Sequence, residues 1–266
     1  MHLYPPMAFN PLLIGAAAIG ITLVYASILD VRDRRVPFRT WYPMLALAAP
    51  CTAWFYASLV QVDPGLAVRL LVVSGVFSAC FYLLGALGLV GGADAWALIF
   101  ITLLVPTFPF PPLLDGGSPG FFPFPVLVHA EMAAILAPLA LLFENWRRGV
   151  RGPLLARLRG FPVTADEILD GRAFGFVMEE LTLVDGEVRR RFFSFGESLG
   201  AMVRGTRLYT RELRANPGEF VHEIGLIRQA SPVWISYGVP FIVPIAVGFL
   251  LTLVVGDTVF YLLSLL

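Results

Sequence analysis

Two aspartates, Asp30 and Asp94, stand out as residues able to do chemistry together. Each lies at the edge of an apolar stretch, 9–29 for the first and 95–105 for the second. A carboxylate in such a place is expensive and is a functional-site candidate by default. Two carboxylates brought close in a low-dielectric site cannot both ionise. They share a proton, so that one acts as general base toward water and the other as general acid. That is the chemistry by which an aspartate pair hydrolyses a peptide bond. Asp30 near a helix C-terminus faces the negative end of a helix dipole and Asp94 at an N-terminus the positive end, which predicts Asp94 as base and Asp30 as acid. The plainer alternative is structural, with Asp30 at the interface beside Arg32 and Asp94 as a helix N-cap, a position that favours aspartate.

The elements that must position the pair are set by composition. The 266 residues are 58% hydrophobic and 14% charged, against roughly 45–50% apolar and about 25% charged in an ordinary soluble domain. The mean hydropathy is +0.78. A membrane span needs about 20 mostly apolar residues, and the stretches 9–29, 42–60, 66–90, 124–143 and 234–255 meet that length. A shorter sixth, 95–105, runs into Pro106, Pro109, Pro111 and Pro112 and is expected to continue as irregular chain shielded by its neighbours. Residues 1–10 carry no positive charge, so the first stretch reads as a retained helix.

The basic residues are all arginine, and their placement predicts orientation, because short cytoplasmic loops collect them. Arg32, Arg34, Arg35 and Arg39 follow the first stretch, and residues 146–232 hold many more, whereas 61–65 and 107–123 hold none. Only Arg69 falls on the outer side, at a helix end where it can snorkel. This predicts an α-helical polytopic membrane protein of about six spans in the cytoplasmic membrane, with both termini outside. Asp30 and Asp94 then share one depth at the cytoplasmic face. The predicted organisation is a five-helix region at 1–145, a small cytoplasmic α+β subdomain at 146–232 and a sixth span with a tail at 233–266. Inside the subdomain, 181–193 reads as a β-hairpin around Asp185-Gly186, with further strand near Phe174, Phe176 and Val177.

The local sequences around the aspartates resemble a known family. Ser27-Ile28-Leu29-Asp30-Val31-Arg32-Asp33-Arg34-Arg35-Val36-Pro37 is similar to the first aspartate motif of the type IV prepilin and preflagellin peptidases, membrane aspartic proteases of the GxGD type. Gly91-Gly92-Ala93-Asp94 resembles their GxGD motif, with alanine at the third position. The resemblance covers most of the chain, and the soluble insert before the last span is similar to the archaeal preflagellin peptidases. It implies Asp30 and Asp94 as catalytic residues and no cofactor. Because the chain lacks the cysteine-rich amino-terminal region of the bacterial enzymes, it also implies no methyl transfer. The presenilin and signal-peptide-peptidase group shares the aspartate pairing but carries a Pro-Ala-Leu motif where this chain has Val239-Pro240-Phe241.

What the resemblance implies about substrate is a precursor of archaellin or of a type IV pilin-like subunit, cut after a short basic leader and before an apolar helix. Asp33, Glu179 and Glu180 are the acidic candidates for reading that leader, each weighed against being a solvated charge. Pro240 and Phe241 are candidates for the substrate path, weighed against a simple proline kink. Membrane lipids are expected partners, and the zero net charge gives no sign of a nucleic-acid partner.

Other signals are weaker. Gly196-Glu197-Ser198-Leu199-Gly200 matches GxSxG, but the insert is too short for the large parallel sheet a nucleophile elbow requires, so the glycines read as turn residues. Cys51 and Cys80 have no metal or disulfide spacing, and His2, His129 and His222 form no HExxH, so no metal is expected. Glu131 beside His129 leaves a transporter open as the rival class, although the best-placed acids share one side and no inverted repeat is evident. The spacing of Gly88 and Gly92 reads as GxxxG, which predicts close helix packing there.

Overall fold

The apolar stretches form helices wherever they are long and free of turn residues. In the computed structural model, which describes residues 10–114, 120–206, 208–237 and 240–266, they become α1 (Leu12–Asp33), α2 (Tyr42–Val62), α3 (Pro64–Ala86), α4 (Gly92–Leu104), α5 (Pro123–Ala134) and α6 (Leu136–Arg147). A 3-10 turn at Phe38–Trp41 leads into α2. There follow α7 (Leu154–Arg159), β1 (Gly160–Val163), α8 (Ala165–Leu169), β2 (Gly175–Val177), β3 (Glu179–Val184), β4 (Glu187–Phe192) and α9 (Phe195–Val203). The chain ends with α10 (Thr210–Ala215), α11 (Val221–Ala230), β5 (Val233–Tyr237), α12 (Ile242–Val255) and α13 (Thr258–Ser264). Among the described residues, four helical runs are long and apolar enough to cross a membrane: Leu12–Asp33, Phe38–Val62, Pro64–Ala86 and Pro123–Arg147. Two shorter apolar helices, Gly92–Leu104 and Ile242–Val255, accompany them.

The sixth predicted stretch, 234–255, is not one helix. Its first residues form β5, the middle strand of an antiparallel sheet ordered β1-β5-β2, in which Val233 pairs with Val163 and Ile235 with both Phe161 and Val177. A short apolar run fits a buried strand as well as a helix, so hydropathy alone does not separate them. The boundary expected at 232/233 shifts accordingly. The chain forms two compact units, Met1–Ala134 with Pro240–Leu266, and Ile135–Val239.

The first unit is built around α4. Its thirteen residues rise only about 20 Å, too short for about 30 Å of hydrocarbon, yet Ala95, Ala97–Thr102 and Leu104 are buried. Protein surrounds this helix. Leu98 and Ile101 meet Ile19 and Leu23 of α1, Met44 and Ala48 of α2, Val126 of α5 and Ile245 and Phe249 of α12 in one core. The longer helices α1 to α3 turn Ile21, Val24, Leu47, Val72 and Val76 outward, as side chains facing lipid must. Among the described residues between α4 and α5, Leu113 and Leu114 donate to the Val254 and Val255 carbonyls, and Phe122 to Pro106.

Glycines set how closely these helices approach, though not the pair the GxxxG reading selected. A Cβ on Gly88 or Gly92 would meet nothing within 4 Å. Gly88 instead has φ +69 and ends α3, with the Leu89 N–H returning to the Leu84 carbonyl at 3.0 Å, the left-handed helix stop that glycine adopts without strain. Close packing falls at Gly85, whose Cβ would lie 3.0 Å from the Ala95 Cβ, and at Gly248, where it would lie 2.6 Å from the Val126 carbonyl oxygen and the Ala130 nitrogen.

The second unit packs β1-β5-β2, α8, α10 and α11 around Val163, Ile168, Leu213, Ile227, Val233 and Ile235. The hairpin β3-β4 turns at Asp185 (φ 54) and Gly186 (φ 84), both in the left-handed region that a two-residue Asp-Gly turn requires. Asn145, in the last turn of α6, is buried and donates to the Arg157 and Gly160 carbonyls, both at 2.8 Å.

Candidate active site

Asp30 occupies the last turn of α1. That helix stops at Arg34, whose φ of 52 lets its N–H close on the Asp30 carbonyl at 3.1 Å. Asp94 is the third residue of α4, with Gly91 as N-cap, so it is not itself the cap. Its carboxylate folds back over the helix start against Gly91.

The two carboxyl groups lie close enough for their charges to act directly on one another. Both are partly buried. A third element joins them, because the Ile242 N–H, at the start of α12, lies within electrostatic reach of the Asp30 carboxyl. Asp30 therefore faces a helix N-terminus in addition to its own helix C-terminus, which narrows the dipole contrast expected from the sequence. The Arg34 guanidinium is also within electrostatic reach of Asp30.

The chain after Asp30 is pinned to the helix that carries Asp94. Phe38 sets its ring edge-on to Trp96 at 5.2 Å and to Phe100 at 6.0 Å, and Trp96 stacks on Phe100 at 5.3 Å. Such ring pairs are directional as well as apolar, so they hold the register between the two aspartate-bearing segments. Sequence reasoning passed over Phe38, Trp96 and Ile242. Trp96 is two residues from Asp94 and Phe38 follows the Val36-Pro37 step, so proximity to the motifs was a usable signal. The role of a backbone amide carries no side-chain signature.

Residues 17–142, which contain both aspartates, match the type IV leader peptidase family, and residues 152–258 match the archaeal peptidase A24 C-terminus, type II. The chain belongs to the type IV leader peptidase family. Among the relatives of this leader peptidase, the preflagellin peptidase of Methanococcus voltae is 23% identical over 92% of this chain and 96% of its own length. That of Methanocaldococcus jannaschii is 24% identical over 90% and 93% respectively. The protein is thus a multi-pass membrane peptidase of a family that removes leader peptides.

Each residue of the peptidase's GxGD-like motif meets different surroundings. Gly91 has φ −59 and ψ 138, open to any residue, so it is not needed for backbone freedom. It is needed for space, because a Cβ there would overlap the Asp94 carboxylate. Gly92 has open space around its Cβ position, and Ala93 fits against the core. Gly91→Ala is therefore expected to turn the Asp94 carboxylate away and lower kcat for leader cleavage by about a hundredfold, the scale of a 1 Å misplacement, with an unchanged melting temperature. Gly92→Ala should change little. Equal kcat values for the two variants would refute this account of the motif.

The remaining candidates are dispersed. Pro240 and Phe241 immediately precede α12, Phe241 packing on the core beside the amide that meets Asp30. Asp33 is exposed, 3.6 Å from Arg32. Glu180 pairs with Arg191 at 2.7 Å. Glu179 is buried and accepts from Arg190 at 2.8 and 3.0 Å and from the Trp234 N–H at 3.2 Å. These bonds tie β3 to β4 and β5. Glu179→Gln should destabilise the peptidase by about 1–3 kcal/mol, the cost of disrupting a buried charged hydrogen bond, seen as a lower melting temperature. A role in reading substrate predicts instead a higher KM with no thermal shift.

The GxSxG stretch lies within α9, so its glycines are helical and not turn residues. Glu197 and Ser194 bond reciprocally at the helix start, and the Ser194 N–H, then Arg191, hold the Glu197 carboxyl down at about 2. His222 is exposed on α11. His129 is buried between the hydroxyls of Thr252 and Thr258, each at 2.8 Å, while Glu131 is exposed. No group of three metal-ligating side chains occurs among the described residues.

Proposed function

We propose that this protein is an aspartic endopeptidase that removes the leader of a preflagellin or a type IV prepilin-like precursor, with Asp30 and Asp94 as its catalytic pair. One observation carries the reading: two carboxylates more than sixty residues apart in sequence lie within electrostatic reach of one another, each presented by a helix end of the membrane unit. The identity of the curated relatives supports the substrate class. In the proposed reaction one carboxylate takes a proton from water as its oxygen attacks the scissile carbonyl carbon, and the other gives its proton to the carbonyl oxygen. Collapse of the tetrahedral intermediate breaks the C–N bond, and the leaving amine takes up a proton from the pair. The two titrate as a unit, so neither is assigned alone.

In this reading α4 and α12 complete six spans, the aspartates face the cytoplasm and both termini lie outside, as the arginine distribution supports. The chemistry requires no cofactor, metal or methyl donor, and the partners are the precursor and the surrounding lipids, without nucleic acid. Of the acidic leader-reading candidates, Asp33 and Glu180 are exposed, each beside an arginine, whereas Glu179 is buried against Arg190.

The test is cleavage of a preflagellin and of a type IV prepilin by the wild-type protein in membranes, with N-terminal sequencing of the product. A product beginning at the apolar helix is expected. If neither precursor is cut by correctly inserted protein, the proposal fails, and proton flux in liposomes becomes the next measurement.

A further inference from the structure

Where α6 ends, the second unit presents an apolar surface that the peptidase reading does not use. Phe143 and Trp146 of α6 are 60% and 69% exposed, and Leu154 and Leu155 of the short helix α7 are 55% and 62% exposed. The first two belong to the apolar run Pro123–Arg147, so their exposure matches a helix crossing lipid. Leu154 and Leu155 do not belong to it. They follow Arg147, Arg148 and Arg151, in polar chain where two adjacent exposed leucines have no reason to be.

Asn145 explains their placement. By donating to the Arg157 and Gly160 carbonyls it fastens the end of α7 to the last turn of α6. The Arg148 N–H returns to Glu144 and the Val150 N–H to Asn145, closing the intervening turn. On the other side Gly152 lies against the Trp234 ring, which a Cβ would overlap. Helix α7 is thereby held at the depth where α6 leaves the hydrocarbon, and not free to swing into water. Three arginines near one glutamate, Glu144, surround the turn, the charge pattern of a headgroup layer rather than of a protein core. Trp146 is of the residue type that settles at the membrane–water boundary.

We infer that α7 is an interfacial anchor: Leu154 and Leu155 insert at the boundary between headgroups and acyl chains, continuing the lipid contact of α6 and fixing the second unit to the bilayer surface. The occupant of this patch is lipid, not another protein. The inference needs only that the run Pro123–Arg147 crosses the membrane, and it stands or falls independently of cleavage.

It is tested on the full chain with Cys51 and Cys80 replaced by alanine and a single environment-sensitive fluorophore on Leu155→Cys, reconstituted in phosphatidylcholine–phosphatidylglycerol vesicles. Glu187→Cys, in the hairpin β3-β4, serves as the water-exposed reference. Position 155 is expected to emit at shorter wavelength, to be quenched by lipids spin-labelled near the headgroup, and to be several-fold less accessible to iodide than position 187. Adding Leu154→Glu should move its emission back toward that of the reference. Iodide access equal to that at 187 would overturn the anchor. So would protection from iodide without quenching by the labelled lipid, because the patch would then be covered by protein.

Discussion

Asp30→Asn and Asp94→Asn are each expected to abolish leader cleavage, a loss of at least about 10²–10⁴-fold by the usual worth of a positioned acid or base, while the protein still accumulates in the membrane. Asparagine matches aspartate in shape and cannot exchange a proton at neutral pH. In Asp30→Asn the amide still presents an oxygen toward the Ile242 N–H, and the packing of α12 against α1 through Ile19, Leu23, Ile245 and Phe249 is kept. In Asp94→Asn the space above Gly91 remains filled. Each change leaves one carboxyl where two had competed for a single proton, so the melting temperature should hold or rise. The double variant should be no worse than either single one, because residues acting as one unit are not additive. The measurement is single-turnover cleavage of a preflagellin in membranes, with protein quantified by immunoblot. Near-normal activity in either single variant would exclude a two-aspartate mechanism.

The largest effect on stability is expected at Gly248. Its hydrogen faces the backbone of α5, and any side chain would press on the Val126 carbonyl and the Ala130 amide. Backbone atoms inside a helix cannot give way as the end of a flexible side chain can, so Gly248→Leu must separate α12 from α5. Overpacking of this kind costs about 1–3 kcal/mol, occasionally more. The displacement also moves the start of α12, where the Ile242 amide meets Asp30, and cleavage should fall with stability. Gly75→Ala is the control. Nothing lies within 4 Å of that Cβ position, in the interior of α3, and alanine favours helix over glycine by about 1 kcal/mol. Thermal unfolding in detergent should show a marked drop for Gly248→Leu and none for Gly75→Ala. Equal midpoints would mean that the α5–α12 crossing is not the tight contact described here.

Most helices of the membrane unit, and the two aspartates that are the candidates for catalysis, are legible in the sequence alone. Burying about 20 apolar residues in hydrocarbon is a large transfer free energy summed along the chain, and it is legible without knowing any partner. The same holds for the Asp185-Gly186 hairpin, whose turn needs positive φ at two successive positions, and for Asp30 and Asp94, conspicuous because charge is rare in such surroundings.

What each apolar or small residue is for depends on its partners in the fold. Val233–Tyr237 is as apolar as a span start, and its hydrogen bonds to β1 and β2 make it a strand. Gly88 and Gly92 have helix-packing spacing and pack against nothing, while Gly85, Gly91 and Gly248 each leave room for a specific neighbour. The amide of Ile242 and the rings of Phe38 and Trp96 join the site through partners distant in sequence. The physical reason is common to all of these. Hydropathy and spacing record what a residue gains by leaving water, whereas hydrogen bonds, close backbone approach and like-charge contact depend on which atoms the fold brings to face it.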